Sequence, residues 1–542
     1  MLRSDQLYLF IFLFIINCFF SCAPKKINNS SSARSNSTEV IYHVFQRSFY
    51  DSNDDNIGDL KGLQQKLDYL QDLGVTSILL LPLYESVYYH NYYTNDFYKI
   101  DPEFGTMEDY LSLVKDVHRR GMKVYMDMET QYVTEDHEWY KSAVNNLQSP
   151  YSDYILFKDS AHKIPETFVF NLTGWTGYNG DYKKITTVNL NNKKVLKYNI
   201  DLYKFWVDPN KDGKFDDGVD GFRFDHMMND LDRKPQLTGL FKNFWVPLIS
   251  ELKKVNPNLT NVAEQAEWNS WGEEYLEKAD VDRIFSFKVM GAILSFKKSY
   301  LSLMADSAFN ILPHGKQQVI FIENHDLPRF STSVGRSLPK MKIGAALNLL
   351  IGGVPSIYYG QELGMSGAGS WGKWGMNDGN EIPEREAFEW YRSDTGKGMA
   401  IWYKNSGPWW DSTNLKPNDG ISLEEEMPDS NSLFNFYKKM IDIRKNNPVI
   451  PEGKYEALVN TNDSVFSFRR YDSENEIIVV VNLSDTFQKA DITYKGFNPK
   501  KKQIKVLNGT AVPVSFENKI EMFLPPYGIN VYQLKTKNQE RN

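Results

Sequence analysis

Eight β-like runs separated by helical patterns constrain this chain more than any other feature. They fall at residues 40–46, 76–82, 122–127, 219–225, 260–264, 282–287, 319–324 and 354–359. Helical patterns such as Leu60 to Leu73 and Asp109 to Arg120 lie between most of them. Alternation in this number predicts an α/β chain whose parallel strands close into a (β/α)8 TIM barrel. Three of the runs deliver an acid at or near their C-terminal end. Asp225 closes GVDGFRFD, Glu264 closes TNVAE, and Asp326 closes VIFIENHD. That end of the strands is the face on which such barrels carry chemistry. Two carboxyls flanking one bond are also the equipment of glycoside hydrolysis.

The remaining stretches divide the chain. Between the third and fourth runs lie about ninety residues, too many for a plain connection, so an inserted domain is expected at about 132–200. After the eighth run, residues 361–430 hold Trp371, Trp374, Trp409 and Trp410. From about 450 the texture turns to short alternating strands, predicting a C-terminal antiparallel β-sandwich over 448–542 behind a catalytic barrel spanning 39–447. The start reads as an address. Met1-Leu2-Arg3 precedes an apolar run from Leu7 to Phe20, the length of a signal-peptide core and short for a membrane span. It ends in Phe19-Phe20-Ser21-Cys22, which resembles a bacterial lipoprotein cleavage site with Cys22 lipidated. Residues 1–22 are thus expected to be a lipoprotein signal peptide and 23–38 a flexible tether. The expected location is extracytoplasmic, periplasmic or cell-surface, with the membrane met only through the lipid.

Cys18 and Cys22 are the only cysteines, so the mature body has no disulfide and no thiolate chemistry. The net charge of −7 argues against nucleic acid and suits a neutral substrate. Aromatic residues reach 14%, a supply of flat faces for stacking on sugar rings.

The GFRFD segment, the VAEQAEW run around Glu264, the ENHDLPR run and GVPSIYYGQE at 353–362 together resemble the α-amylase superfamily, glycoside hydrolase family 13. The likeness extends to the closing Leu524-Pro525-Pro526-Tyr527-Gly528. It implies the barrel, a B domain inserted after strand three and the sandwich. It also implies Asp225 as nucleophile, Glu264 as general acid/base and Asp326 as transition-state stabiliser. The chemistry asks for the same division: an ionised carboxylate to attack and a protonated one to release the leaving oxygen. Arg223 shares a strand face with Asp225 and is expected to keep it ionised. Ala263 and Trp268 are expected to desolvate Glu264 partly, and His325 to help Asp326 hold sugar hydroxyls.

Some positions depart from the family pattern. Where Asp-x-x-x-Asn-His is usual, the chain reads Asp127-Met128-Glu129-Thr130-Gln131-Tyr132, so Asp127 and Tyr132 are expected to meet the sugar. The usual Lys-His pair past the nucleophile is Met228-Asn229, and His226 directly after Asp225 is unusual. In His90-Asn91-Tyr92-Tyr93, Tyr92 is the expected stacking platform. Tyr93 replaces an aspartate that caps a chain end, which favours extended binding, with the four tryptophans extending the platform.

Two acidic loops alternate oxygen donors: Asp51, Asn53, Asp55, Ile57 and Asp59, and Asp208, Asn210, Asp212, Lys214 and Asp216. Ile57 and Lys214 would give backbone carbonyls, so one or two Ca²⁺ sites are expected. The whole reads as a retaining α-glucan hydrolase acting on starch-like polysaccharides or malto-oligosaccharides. The alternatives are a transglycosylase on the same scaffold or an inactive glycan-binding protein.

Overall fold

The computed structural model of the protein describes residues 38–494, 497–498, 502–511, 513–516 and 519–536. The expected signal peptide, Cys22 and all but the last residue of the tether lie outside the described residues.

Eight parallel strands close a barrel: Ile41–Val44, Ser77–Leu80, Lys123–Met128, Gly221–Met227, Val262–Gln265, Arg283–Phe285, Gln317–Ile320 and Val354–Tyr358. Each pairs with its sequence neighbours, and the first closes on the eighth with Ile41 opposite Ser356. The period of two sorts their side chains into separate clusters. Ile41, Leu79, Tyr125, Val262, Phe285, Val319 and Val354 pack together in one. Their neighbours Tyr42, Ile78, Val124, Ala263, Ile284, Ile320 and Ile357 belong to another, which includes the helices. Alternate residues thus fill the barrel and hold its outer layer. At the N-terminal end, Arg283 Nη2 donates to Glu39 Oε2 at 2.7 Å. Burial opposes the Glu39 charge, but Arg283 prevails and holds its carboxyl down to about 2.

The seventh strand ends earlier than its apolar run. Phe321 and Ile322 continue the buried pattern after the ladder has stopped at Ile320, so Asp326 sits on the following loop.

Behind the barrel, two antiparallel sheets of five and three strands enclose a core that includes Ile478, Val480, Ile492, Ile520 and Met522. This is the expected C-terminal β-sandwich.

The segment after strand three does not form its sheet alone. A five-stranded sheet takes Tyr84–Ser86 and Thr94–Ile100 from the loop after strand two, then Tyr132–Thr134, Tyr182–Thr187 and Gly174–Thr176. Its last residues also differ from the expected 132–200. Asn192 caps a helix, Lys193–Val207, by accepting from Lys194 N. That helix packs on the barrel, with Tyr203 against Phe222 at 4.8 Å and Trp206 against Tyr110 at 5.3 Å.

Candidate active site

Strands three, four and five bring their C-terminal ends side by side, with Asp127 opposite Arg223 and Val262 also opposite Arg223. Beyond Ala263 and Phe224 the register shifts, so that Gln265 faces Met227. Two residues of strand four, Asp225 and His226, therefore lie against Glu264 alone. This is a β-bulge, a device that re-aims side chains beside active sites. His226 takes the left-handed conformation the bulge needs, with φ 42°. Its N–H donates to Glu264 Oε2 at 3.2 Å, and Gln131 Nε2 donates to the Asp225 carbonyl at 2.6 Å. The unusual histidine is thus the bulge residue, and its main chain helps place the neighbouring acid.

Arg223 ties the group together. Nη1 donates to both oxygens of Asp127, at 2.9 and 2.8 Å, and contacts Asp225 Oδ1. Nη2 donates to Glu264 Oε2 at 2.9 Å. One guanidinium is divided among three carboxylates. Burial pushes the Asp225 carboxyl well above its usual range, and Glu264, Asp127 and Asp326 add to it against the pull of Arg223. Burial likewise lifts Asp127 to about 6. Arg223 works against the rise at Asp225, in the direction the sequence led us to expect. The cluster, with more carboxylates than cations, favours keeping a proton.

Asp326 approaches from the loop after strand seven. Its Oδ1 lies 3.1 Å from Arg385 Nη2 and its Oδ2 3.1 Å from His325 Nε2. Arg385 also donates to the His325 carbonyl at 2.8 Å and to Tyr89 Oη at 2.9 Å. Burial and the Arg223 and Arg385 charges hold His325 well below its ordinary value, so its ring is neutral.

Exposure separates the acids that can meet a ligand from those that position. The Asp225, Glu264 and Asp326 side chains are 15%, 9% and 33% exposed. Asp127 has no exposed surface, so it acts through Arg223 and through Tyr92, whose hydroxyl donates to Asp127 Oδ2 at 2.7 Å. His325 stacks on Tyr92 at 5.4 Å and meets its hydroxyl at 2.7 Å. Tyr92 is therefore a fixed floor with one face covered. Tyr132 does not reach a sugar either: its hydroxyl donates to Asp232 Oδ2 at 2.6 Å. Asp232 also meets His226 Nε2 at 3.1 Å and Lys234 Nζ at 3.2 Å. Tyr93 is partly buried, with Tyr88, His90, Tyr132 and Phe168 edge-on around its ring. Trp268, 40% exposed and stacked on Phe287, donates from Nε1 to Glu264 Oε1 at 3.4 Å. Arg385 escaped the sequence reading, and Gln131 entered it only as a departure from the family pattern. Arg385 has only its acidic neighbours Glu384 and Glu386 as a local signal.

The two acidic loops share one conformation. Asn53 Oδ1 accepts from Asp55 N, and Asn210 Oδ1 from Asp212 N. Asp51 Oδ2 accepts from Asn56 N, and Asp208 Oδ2 from Gly213 N. Positions four and six are left-handed in both: Asp54 and Asn56, Lys211 and Gly213. Asp59 also caps the helix Leu60–Gln65. Among the described residues no three His, Cys, Asp or Glu side chains gather as a metal cluster. A cation held here would need amide and carbonyl oxygens as well, a donor set that fits Ca²⁺.

The catalytic-domain model of the α-amylase family matches residues 43–453. The chain belongs to the α-amylase family. As such it is a glycoside hydrolase. Alpha-amylase 3 of Dictyoglomus thermophilum is 30% identical over 458 residues, 82% of this chain and 84% of that one. An oligo-1,6-glucosidase of Parageobacillus thermoglucosidasius is 27% identical, covering 82% of this chain and 90% of its own. Among solved structures of the α-amylase fold, the α-amylase from H. orenii superposes with a TM-score of 0.75 at 28% identity, covering 92% of this chain and 99% of that one.

Proposed function

We propose that this glycosidase is a retaining hydrolase of α-glucosidic bonds in starch-like or malto-oligosaccharide substrates. The observation that carries the reading is Asp225 and Glu264 held on the two terminal nitrogens of one guanidinium, both reaching the cleft surface. Asp225 attacks the anomeric carbon and forms a glycosyl-enzyme while Glu264 protonates the departing oxygen. Glu264 then takes a proton from water, which releases the sugar with its configuration kept. Asp326, steered by Arg385 and His325, binds hydroxyls of the distorted ring. The relatives named alpha-amylase and oligo-1,6-glucosidase support α-glucosidic bonds as the target.

The test is digestion of maltoheptaose and isomaltose with the first-formed anomer read by NMR. The α-anomer is expected, and a β-anomer as first product overturns retention. Products longer than maltoheptaose would assign transfer to a sugar rather than to water.

The same reading includes a lipid anchor at Cys22, supported by the apolar run that precedes it. Expressed with its signal, the protein should partition into detergent, and Cys22→Ser should move it to the aqueous phase. Equal partitioning of both forms would end that proposal. It also includes Ca²⁺ at the two acidic loops, where the ion would brace the chain and take no part in the reaction.

A further inference from the structure

With Tyr93 partly buried and hemmed by four other rings, a sugar chain running past Tyr92 gains from a further, more open surface. Of the six tryptophans after strand eight, Trp390, Trp402 and Trp409 are buried and Trp374 and Trp410 are partly buried; only Trp371 is largely open, at 55%. It does not stand alone. Phe170, from the segment inserted after strand three, is 75% exposed, with its ring 6.0 Å from that of Trp371 at 74°. Trp175, from the same segment, lies 5.1 Å from Trp371 at 42°. Phe170 sits at φ 56°, a conformation that costs a bulky residue energy, and it does so without hiding its ring from water. Exposed aromatic surface kept at such a cost marks an interaction site.

We propose that Phe170, Trp175 and Trp371 form an outer platform that stacks on the continuing part of an α-glucan whose scissile bond lies at Asp225. The proposal rests on the hydrolase reading above and adds where the rest of the substrate binds. Both walls of the platform are tied to the acid cluster. The Trp175 carbonyl accepts from Tyr88 Oη at 3.0 Å, Tyr88 stacks on His90 at 5.6 Å, and His90 contacts Tyr92 at 5.7 Å. On the other side, Gly369 N donates to Glu384, the neighbour of the Arg385 that holds Asp326, and Ser370 N donates to the Asn380 carbonyl at 3.0 Å. The rings are tilted against one another instead of forming one flat apolar area. Separate ring faces match single hexose units, each with an apolar C–H face. A second protein copy would want a wider continuous patch.

The experiment is the full-length Phe170→Ala/Trp371→Ala variant, compared with the unaltered enzyme on maltoheptaose and on maltose. Both side chains are mostly in water, so an unchanged melting curve is expected. The kcat/KM ratio of maltoheptaose to maltose should fall about tenfold, mainly through KM. Retardation in an amylopectin gel should weaken in parallel, and Trp371→Tyr should retain most of both. An unaltered ratio with both substrates still cleaved overturns the platform and leaves the hydrolase reading standing. Equal losses on the two substrates, or a dimer that the double variant dissociates, also overturn it. An unaltered enzyme inert on both sugars overturns the hydrolase reading and the platform with it.

Discussion

In Asp225→Asn, turnover of every α-glucan should fall by about four orders of magnitude or more, with the melting curve retained. The amide cannot attack the anomeric carbon, so no glycosyl-enzyme forms whatever the leaving group. Folding should survive because Arg223 keeps Asp127 and Glu264 as partners. Removing one of several carboxylates also lessens the repulsion inside the cluster. Glu264→Gln should behave differently. Its loss on natural glucans should be about 10²- to 10⁴-fold, the usual worth of acid–base help. Glycosyl fluorides, whose leaving group needs little protonation, should still form the intermediate. Steady-state kinetics on maltoheptaose and on α-glucosyl fluoride separate the two. Near-normal activity of Asp225→Asn on any glucan would break the assignment of the nucleophile.

Chelation should lower the melting temperature, and added Ca²⁺ should restore it. An ion that binds only the folded chain stabilises by mass action, about 2.7 kcal/mol at a hundredfold excess over its dissociation constant and about 4 at a thousandfold. The two loops should not weigh equally in catalysis. Asp208 to Asp216 leads directly into the strand carrying Arg223 and Asp225, whereas Asp51 to Asp59 leads into the helix Leu60–Gln65. Asp212→Ala should therefore reduce kcat more than Asp55→Ala. A melting curve indifferent to excess chelator, with no calcium found by elemental analysis, would dismiss both sites.

The barrel was legible because its strands obey a local rule. Alternate residues face inward and outward, and eight runs carry that pattern whatever lies between them. The rule overran several ends, most at the seventh strand, where Phe321 and Ile322 remain buried past the ladder: an apolar pattern reports burial, not hydrogen bonding. The three acids were legible through position on their runs. What surrounds them was not. A bulge adds a residue without disturbing the hydrophobic pattern, so His226 gave no local sign of its left-handed turn. Arg385 reaches Asp326 across a sequence separation of 59, a pairing only the folded chain creates. Tyr93 and Tyr132 were assigned to the substrate from their neighbours in sequence, but in space other rings crowd the first and Asp232 holds the hydroxyl of the second. Residue type pointed to the chemistry; packing decided which side chains remain free to take part.

The sheet stitched from two loops also limits how this protein can be rebuilt. Tyr132–Thr134 pairs with Thr94–Ile100, and the two strands arrive from different sides of the third barrel strand. Cutting out the segment after strand three would leave Thr94–Ile100 with an open edge of unpaired main-chain groups, a template for aggregation. A graft of that segment from a relative would have to bring residues 84–100 with it. Those residues include His90, Tyr92 and Tyr93, which line or support the floor of the cleft. The insertion and the floor are therefore one unit of inheritance: exchanging the first without the second breaks a sheet, and exchanging both rewrites the substrate pocket.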